Sequence, residues 1–199
     1  IIEIENIKSI ISIRSLIDGK FLLNGLSIST KPLDIKNLMS FIRLINKSPK
    51  IFIAEQFIKR GYVIANIEIE FDQNGKIKDN YEIKGFVKNG KINLLKKYNL
   101  EKIDYTFEVN SKSFKLNDIN LFLNGKNILL PQLIVLKKKD KFSISGKLDN
   151  KEIVIEKNDI KNFFDEDFLA SNFQKMIFSS KSNFDFDLNQ KFRLNNLNL

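Results

Sequence analysis

The chain has 199 residues, of which 43% are hydrophobic and 29% are charged, and its formal net charge is +9. This apolar content is ordinary for a chain that buries hydrophobic surface, which excludes general disorder. The sequence contains neither cysteine nor histidine. Disulfides and thiolate metal sites are therefore excluded, and the commonest general base and metal ligand are absent.

The positive charge has three readings, which are nucleic-acid binding, contact with anionic lipid head groups, and a solvated surface with no specific partner. Lysine greatly outnumbers arginine, a bias that AT-rich coding also produces. Aromatic residues alternate away from charged residues, whereas a nucleic-acid-binding sheet needs both on one side. We therefore expect no nucleic-acid partner, while contact with lipid head groups stays open.

Both ends of the sequence lie within patterned apolar stretches, beginning at Ile1 and ending at Leu199. We therefore expect residues 1–199 to form a single β segment of a longer protein. The best candidate for a membrane span, residues 128–136, is interrupted by Pro131 and Gln132 and is too short to cross a bilayer. Any membrane anchor is expected to lie outside this chain.

One amphipathic helix is predicted over about residues 34–47. Asp34 stands where it can cap the helix, and Ser48-Pro49 is expected to end it. A second short helical turn is predicted over residues 159–164, with a buried loop corner as the alternative. The apolar stripe of the first helix consists of Ile35, Leu38, Met39, Ile42 and Ile45.

The clearest hairpin covers about residues 62–88. Apolar and polar residues alternate along its first strand, which is typical of a sheet with one dry and one wet face. Residues 72–75 (DQNG) have the chemistry of a type I turn closed by a glycine bulge. This turn predicts a three-residue loop, since a two-residue loop would mix the two faces.

The three-residue loop fixes a pairing register for the hairpin. It sets Glu70 against Lys78 on the wet face, and it places Asp79 opposite Ile69 on the dry face. The apolar pairs that it predicts are Phe71 with Ile77, Ile67 with Tyr81, and Ala65 with Ile83.

Strand patterns continue through the rest of the chain, over residues 103–109, 114–123, 133–136, 142–148, 153–155 and 184–188. Residues 137–140 (KKKD) are expected to form a solvated hairpin turn. An aromatic-x-Ile/Leu-x-Gly pattern recurs near residues 21, 81 and 142 and suggests a weak repeat of about 60 residues. The fold predicted is an elongated, curled antiparallel sheet with one amphipathic helix.

Catalytic chemistry is not expected. No phosphate-binding glycine loop, nucleophile elbow or dinucleotide fingerprint is present. The acidic run Asp165-Glu166-Asp167 lacks the spacing of a calcium loop and is expected to be a solvated turn. We therefore predict that the chain is not an enzyme and holds neither a cofactor nor a metal.

Residues 33–150 resemble the AsmA-like proteins of Gram-negative envelopes, a group that includes the YhdP and TamB relatives. The resemblance is carried by residues 34–38 (DIKNL), 61–65 (GYVIA), 71–77 (FDQNGKI), 81–87 (YEIKGFV) and 142–148 (FSISGKL). It implies the periplasmic part of a protein whose inner-membrane anchor lies outside this chain. It also implies a curled β groove that conducts phospholipids between the inner and outer membranes, with possible envelope proteins at either end.

An apolar groove can hold acyl chains because each buried methylene contributes about 0.8 kcal/mol of transfer free energy. Two alternatives stay open. The same face could instead pack against the helix or a second sheet, and the chain could instead be a scaffold that assists outer-membrane protein assembly through exposed strand edges. The lining residues predicted for the groove are Val63, Ala65, Ile67, Ile69, Phe71, Ile77, Tyr81 and Ile83.

Overall fold

The computed structural model describes residues 3–17, 19, 22–45, 55–94, 98–157, 159, 174–189 and 194–198. In this part of the chain eleven strands form a single antiparallel sheet that does not close, accompanied by two short helices. The mostly β, antiparallel fold with an amphipathic helix is therefore confirmed.

The sheet is largely a meander, because most strands pair with the next strand along the chain. Its order is β1-β2-β4-β5-β6-β7-β8-β9-β10-β11, and the short β3 pairs with β4. The bounds are β1 (Ile4–Ile11), α1 (Ile13–Ile17), β2 (Leu23–Thr30), β3 (Leu33–Asp34), α2 (Ile35–Ile45), β4 (Ile58–Glu70), β5 (Glu82–Leu94), β6 (Tyr98–Asn110), β7 (Ser113–Leu123), β8 (Lys126–Lys137), β9 (Lys141–Glu156), β10 (Lys175–Asn189) and β11 (Leu194–Asn198).

Helix α2 begins where the sequence predicts. Asp34 Oδ1 accepts hydrogen bonds from the backbone amides of Lys36 at 2.9 Å and Asn37 at 3.1 Å, which is N-terminal capping. Ile35 and Leu38 pack against the small buried core described below. The predicted end of the helix, residues 46–47, lies outside the described residues.

Helix α1 was not predicted. It is a single short turn between β1 and β2, in which the Ser15 hydroxyl donates to the Ser12 carbonyl at 2.7 Å. Five residues are too few to show a helical apolar period, so the sequence carries little signal for it. Of the helical turn predicted over residues 159–164, residues 160–164 lie outside the described residues.

The turn between β4 and β5 has the predicted three-residue geometry. Asp72 Oδ1 accepts hydrogen bonds from the amides of Asn74 at 2.8 Å and Lys76 at 2.9 Å, and Gly75 has a φ of 75°. Phe71 pairs with Ile77 in an isolated bridge. The ion pair expected between Glu70 and Lys78 is present at 3.0 Å.

Beyond this bridge the predicted register is wrong by two residues. Ile67 pairs with Ile83 instead of Tyr81, and Ala65 pairs with Gly85 instead of Ile83. The cause is a second turn at residues 79–80 that lies outside the ladder. It removes Asp79 from its predicted place opposite Ile69, where a carboxylate would have faced the apolar side. A slip of two residues preserves the face of every side chain.

A line of backbone irregularities crosses four neighbouring strands. Gly61 on β4 has a φ of 140°, and Asn89, Lys102 and Asp118 on β5, β6 and β7 have φ values of 51°, 49° and 54°. Register shifts in the three strand pairs accompany them. Such bulges bend strands and increase their twist, so these strands bend at a common level.

The last strand, β11, is joined to the sheet by a polar cluster centred on Asp187. The Asp187 carboxylate accepts hydrogen bonds from Lys141 Nζ at 2.6 Å, Ser143 Oγ at 2.7 Å and Asn196 Nδ2 at 3.1 Å. These donors come from β9 and β11. They hold the pKa of Asp187 well below its usual range, with the Lys141 hydrogen bond as the largest cause.

This depressed pKa makes the contacts of β10 with β9, and to a smaller extent with β11, sensitive to acid. Because the unfolded carboxyl has the higher pKa, its stabilising contribution is present above the ordinary value of 3.8 and is lost as the pH falls below it. We expect the urea unfolding midpoint to fall less steeply between pH 5 and pH 2 in Asp187→Asn than in the parent chain. Equal slopes for the two proteins would show that Asp187 is not part of this coupling.

Candidate functional site

An unbroken row of apolar side chains crosses nine strands of the sheet. Each member is the direct pairing partner of the next, so the row runs perpendicular to the strands. At about 4.8 Å between strands, eight steps give a length of about 38 Å. This apolar row consists of Ile7, Ile28, Ile67, Ile83, Val109, Phe114, Val135, Ile144 and Phe186.

A second row lies two residues further along the strands and on the same face. Its two glycines make room for aromatic rings from neighbouring strands. A Cβ placed on Gly146 would lie 2.4 Å from Phe184 Cζ, and one on Gly85 would lie 2.7 Å from Phe107 Cζ. This second row consists of Ala65, Gly85, Phe107, Leu116, Leu133, Gly146 and Phe184. The two rows together are called the apolar face.

These glycines also bear on the weak sequence repeat. Gly85 and Gly146 belong to two of its copies and occupy the same row of the sheet. Gly25, from the first copy, pairs with Glu70 and lies on the opposite face. The repeat therefore does not correspond to a uniform structural unit over the described residues.

The opposite side of the sheet, called the polar face, carries mainly polar and charged side chains. One row across it can be followed from β2 to β11, and Ile134 is its one apolar member. Several charged side chains of the polar face form ion pairs, either between strands or, as Lys84 and Glu82 do, within one strand. The row consists of Ser29, Asn66, Lys84, Glu108, Lys115, Ile134, Ser145, Asp185 and Asn198.

Among the described residues, helix α2 covers one end of the apolar face. Helix α2 packs over Leu33, Val63 and Val87, which are buried, whereas the apolar row is half-buried or more exposed, with Phe114 at 36%. No described side chain is fully buried. The accessible surface of 14291 Å² exceeds the roughly 9,700 Å² expected for a compact chain of this mass. In the described part, no second sheet covers this face.

Four of the eight predicted lining residues lie together on the exposed part of this face. Ile67 and Ile83 belong to the apolar row, Ala65 belongs to the second row, and Ile69 pairs with Leu26 on the same side. All four are half-buried. They are therefore placed where a ligand on the apolar face could contact them.

The other four differ in their surroundings. Val63 lies in the core beneath α2, so the packed-core alternative describes this position better than an open groove does. Phe71 and Tyr81 are half-buried near the end of β4, whereas Ile77 is 58% exposed at the isolated bridge. These positions border the apolar face and do not form its centre.

Sequence reasoning did not identify the members of the apolar row on β6 to β10. Alternation within a strand predicts that its apolar residues share a side, but it does not say which side of the sheet that is. Their common face depends on turn lengths and bulges, which set the register between strands. Ile7 and Ile28 on β1 and β2 were missed as well. The residues missed on β6 to β10 are Val109, Phe114, Val135, Ile144 and Phe186.

Tyr105 brings one polar group to the covered end of this face. It pairs with Val87, and its ring centroid lies 6.3 Å from that of Phe107. Burial raises the pKa of the Tyr105 phenol, because a phenolate would lose hydration there. The hydroxyl is therefore neutral at physiological pH, and this end of the face carries no charge from it.

Within the described part of the chain, no group of three or more acidic residues is arranged to hold a metal ion. The acidic run at residues 165–167 lies outside that part. Of the helices that the structure describes, none has both the length and the apolar character needed to cross a membrane. No known protein family, curated protein or solved structure matches this chain, so the resemblance to AsmA-like proteins stays a prediction.

Proposed function

We propose that this chain is a non-catalytic segment of an AsmA-like envelope protein that holds phospholipid acyl chains along its apolar face. The observation that carries the proposal is the apolar row, which crosses nine strands and which no second sheet of the described residues covers. Exposed apolar surface on this scale marks an interaction site in a soluble protein segment. Its partner should itself be apolar and extended.

The dimensions of the face suit an acyl chain. The row extends about 38 Å across the strands, so acyl chains of about 15 Å, half of a bilayer's hydrocarbon core, can lie along the strands at many places on it. Each methylene that leaves water contributes about 0.8 kcal/mol, with no required orientation. A uniform row of aliphatic and aromatic side chains can therefore hold a chain at many positions along its length, which is what conduction between membranes requires.

The resemblance to AsmA-like proteins supplies the cellular setting of this function. The segment would stand in the periplasm of a Gram-negative envelope, joined to the inner membrane by a part of the protein outside this chain. Its polar face would contact water, and envelope proteins could meet the sheet at either end. Phospholipids are the ligand, and no cofactor takes part.

Photo-crosslinking from the two faces tests this function. A crosslinking amino acid replaces Ile67 on the apolar row or, as the control, the neighbouring Glu68 on the polar face. The chain is exported to the periplasm of a Gram-negative host, irradiated, purified and analysed by mass spectrometry. We expect lipid adducts from position 67 and none from position 68, because adjacent strand residues point to opposite faces.

Adducts at neither position would contradict the proposal. Protein adducts at position 67 would show that the apolar face is covered by a second polypeptide. Equal lipid labelling at both positions would indicate non-specific association with membrane and would also count against a lipid-holding face.

A second candidate function is a scaffold that assists outer-membrane protein assembly. The observation that favours it is β1, which lies at one edge of the sheet as far as the structure describes it and whose exposed residues include Ile7 at 55% and Ile10 at 64%. An edge strand with apolar side chains can accept a strand from another protein. The same crosslinker at Ile10 would then capture protein partners, and the apolar row would be dispensable.

A further inference from the structure

Two lysines lie at the end of the apolar face that is marked by the β6–β7 and β8–β9 turns. Lys137 lies two residues beyond Val135 on β8, so it shares the face of the apolar row, and it pairs with Phe142. The Lys137 amide donates a hydrogen bond to the Lys112 carbonyl at 2.9 Å. Lys112, in the turn between β6 and β7, is therefore the backbone neighbour of Lys137 on β8, and each lies two residues beyond its member of the Phe114–Val135 pair.

Some lysines of the sheet have an acidic partner and others have none; Lys112 and Lys137 belong to the second group and stand beside the apolar face. Lys78, Lys84, Lys88 and Lys91 each form an ion pair with an acidic side chain. In the described part of the chain neither Lys112 nor Lys137 forms one, and both are exposed. Two lysines without an acidic partner therefore stand where the apolar face meets this turn.

We infer that Lys112 and Lys137 form an anion-binding site at the border of the apolar face, where an oxyanion joined to an acyl chain places its charged group. This inference rests on the proposed function and adds the orientation of the bound lipid. The charged group of the lipid lies beside the β6–β7 and β8–β9 turns. Its acyl chain extends from there along the strands toward the bulge at Asp118.

Charge and length both support this placement. Lysine ammonium groups bind phosphate and carboxylate as mobile point charges, and their aliphatic stems can lie on apolar surface. From Lys137 to Pro131, which lies opposite the bulge at Asp118, is six residues along β8, or about 20 Å at the rise of a strand. That distance exceeds the roughly 15 Å of one bilayer leaflet's hydrocarbon, so one acyl chain fits between the lysines and the level of the bulges.

Isothermal titration calorimetry on the purified chain tests the site with four probes. Lysophosphatidate and oleate, used as monomers, carry an acyl chain with a phosphate or a carboxylate. Lysophosphatidylcholine carries the chain with a zwitterionic group, and inorganic phosphate has no chain. The variant is Lys112→Gln with Lys137→Gln. The control, Lys8→Gln with Lys147→Gln, removes two exposed lysines from the polar face and gives the same net charge.

We expect the Lys112/Lys137 variant to bind lysophosphatidate and oleate about tenfold more weakly, as the loss of two solvent-exposed charge contacts predicts. Its affinity for lysophosphatidylcholine should be unchanged, and the control variant should match the parent with every probe. A larger loss for one anion than for the other would identify phosphate or carboxylate as the preferred group.

Two results would overturn the inference while leaving the proposed function intact. One is an equal loss in both variants, which would show that only net charge matters. The other is an unchanged affinity for both anionic lipids in the Lys112/Lys137 variant. Failure of the parent to bind any of the three lipids would instead overturn the proposed function together with this site. Inorganic phosphate bound as tightly as lysophosphatidate would show an anion site independent of the apolar face.

Discussion

Replacing Ile67 and Val135 together with glutamine should weaken the binding of lysophosphatidylcholine at least about tenfold, because two polar amides would interrupt a contact worth about 0.8 kcal/mol per methylene. Both residues belong to the apolar row, each two pairing steps from Val109, on opposite sides of it. Both are only half-buried, so the sheet should still fold. Glutamine adds no charge, and lysophosphatidylcholine has no net charge, so head-group attraction does not enter the comparison.

The matched control is Ile64→Gln with Ile134→Gln. These residues stand on the same two strands, β4 and β8, but on the polar face, and they are also half-buried. Both double variants lose similar strand propensity and similar apolar area. Equal affinity of the two variants for lysophosphatidylcholine would mean that lipid does not bind on the apolar face. Urea unfolding of both variants checks that neither result comes from a loss of fold.

The features that sequence reasoning predicted correctly are local in origin. Helix α2 follows from a capping aspartate and an apolar stripe within a dozen residues. The Asp72 turn follows from four consecutive residues whose side-chain hydrogen bonds compete well with regular structure. Alternation within each strand likewise needs no information from distant residues. These signals suffice for a mostly β, antiparallel chain with one amphipathic helix.

The features that it missed depend on pairs of strands. The turn at residues 79–80 shifts the β4–β5 register by two residues, and nothing in the alternation pattern requires that slip. The bulge at Asn89 had a signal, because Asn89-Gly90 inside a strand pattern is typical of a bulge. The apolar row itself needed eight registers to be correct at once. Individual lining residues on β4 and β5 could therefore be predicted from the sequence, whereas the continuous row could not.

The packing of Val63 shows why a sequence cannot separate a groove from a core. Val63 and Ile67 are both apolar, stand four residues apart on β4 and point to the same side of the sheet. Helix α2 covers the first and leaves the second half-exposed. The difference arises because helix α2, with eleven residues, reaches over Val63 but not over Ile67. The sequence of β4 contains no signal for the extent of that contact.

Gly85→Ala should lower the free energy of unfolding by about 3 kcal/mol, at the upper end of the cost of overpacking a well-packed site. A Cβ at Gly85 would lie 2.1 Å from the Ile64 carbonyl oxygen and 2.7 Å from Phe107 Cζ. The Phe107 ring can rotate away, but the Ile64 carbonyl belongs to the backbone of a strand that is paired on both sides. Relief therefore requires the paired backbones of β4 and β5 to move apart.

Gly25→Ala is the matched control, since Gly25 is also an interior strand glycine. Its Cβ would lie 3.4 Å from Ile10 Cδ1 and 3.4 Å from the Ile69 carbonyl oxygen, which is ordinary contact. We expect its free energy of unfolding to stay within about 1 kcal/mol of the parent, because alanine also restricts the unfolded chain. Urea unfolding of both variants measures the difference. Equal stability of the two variants would contradict the Ala65–Gly85 pairing, and with it the two-residue slip that aligns β4 and β5 in the apolar face.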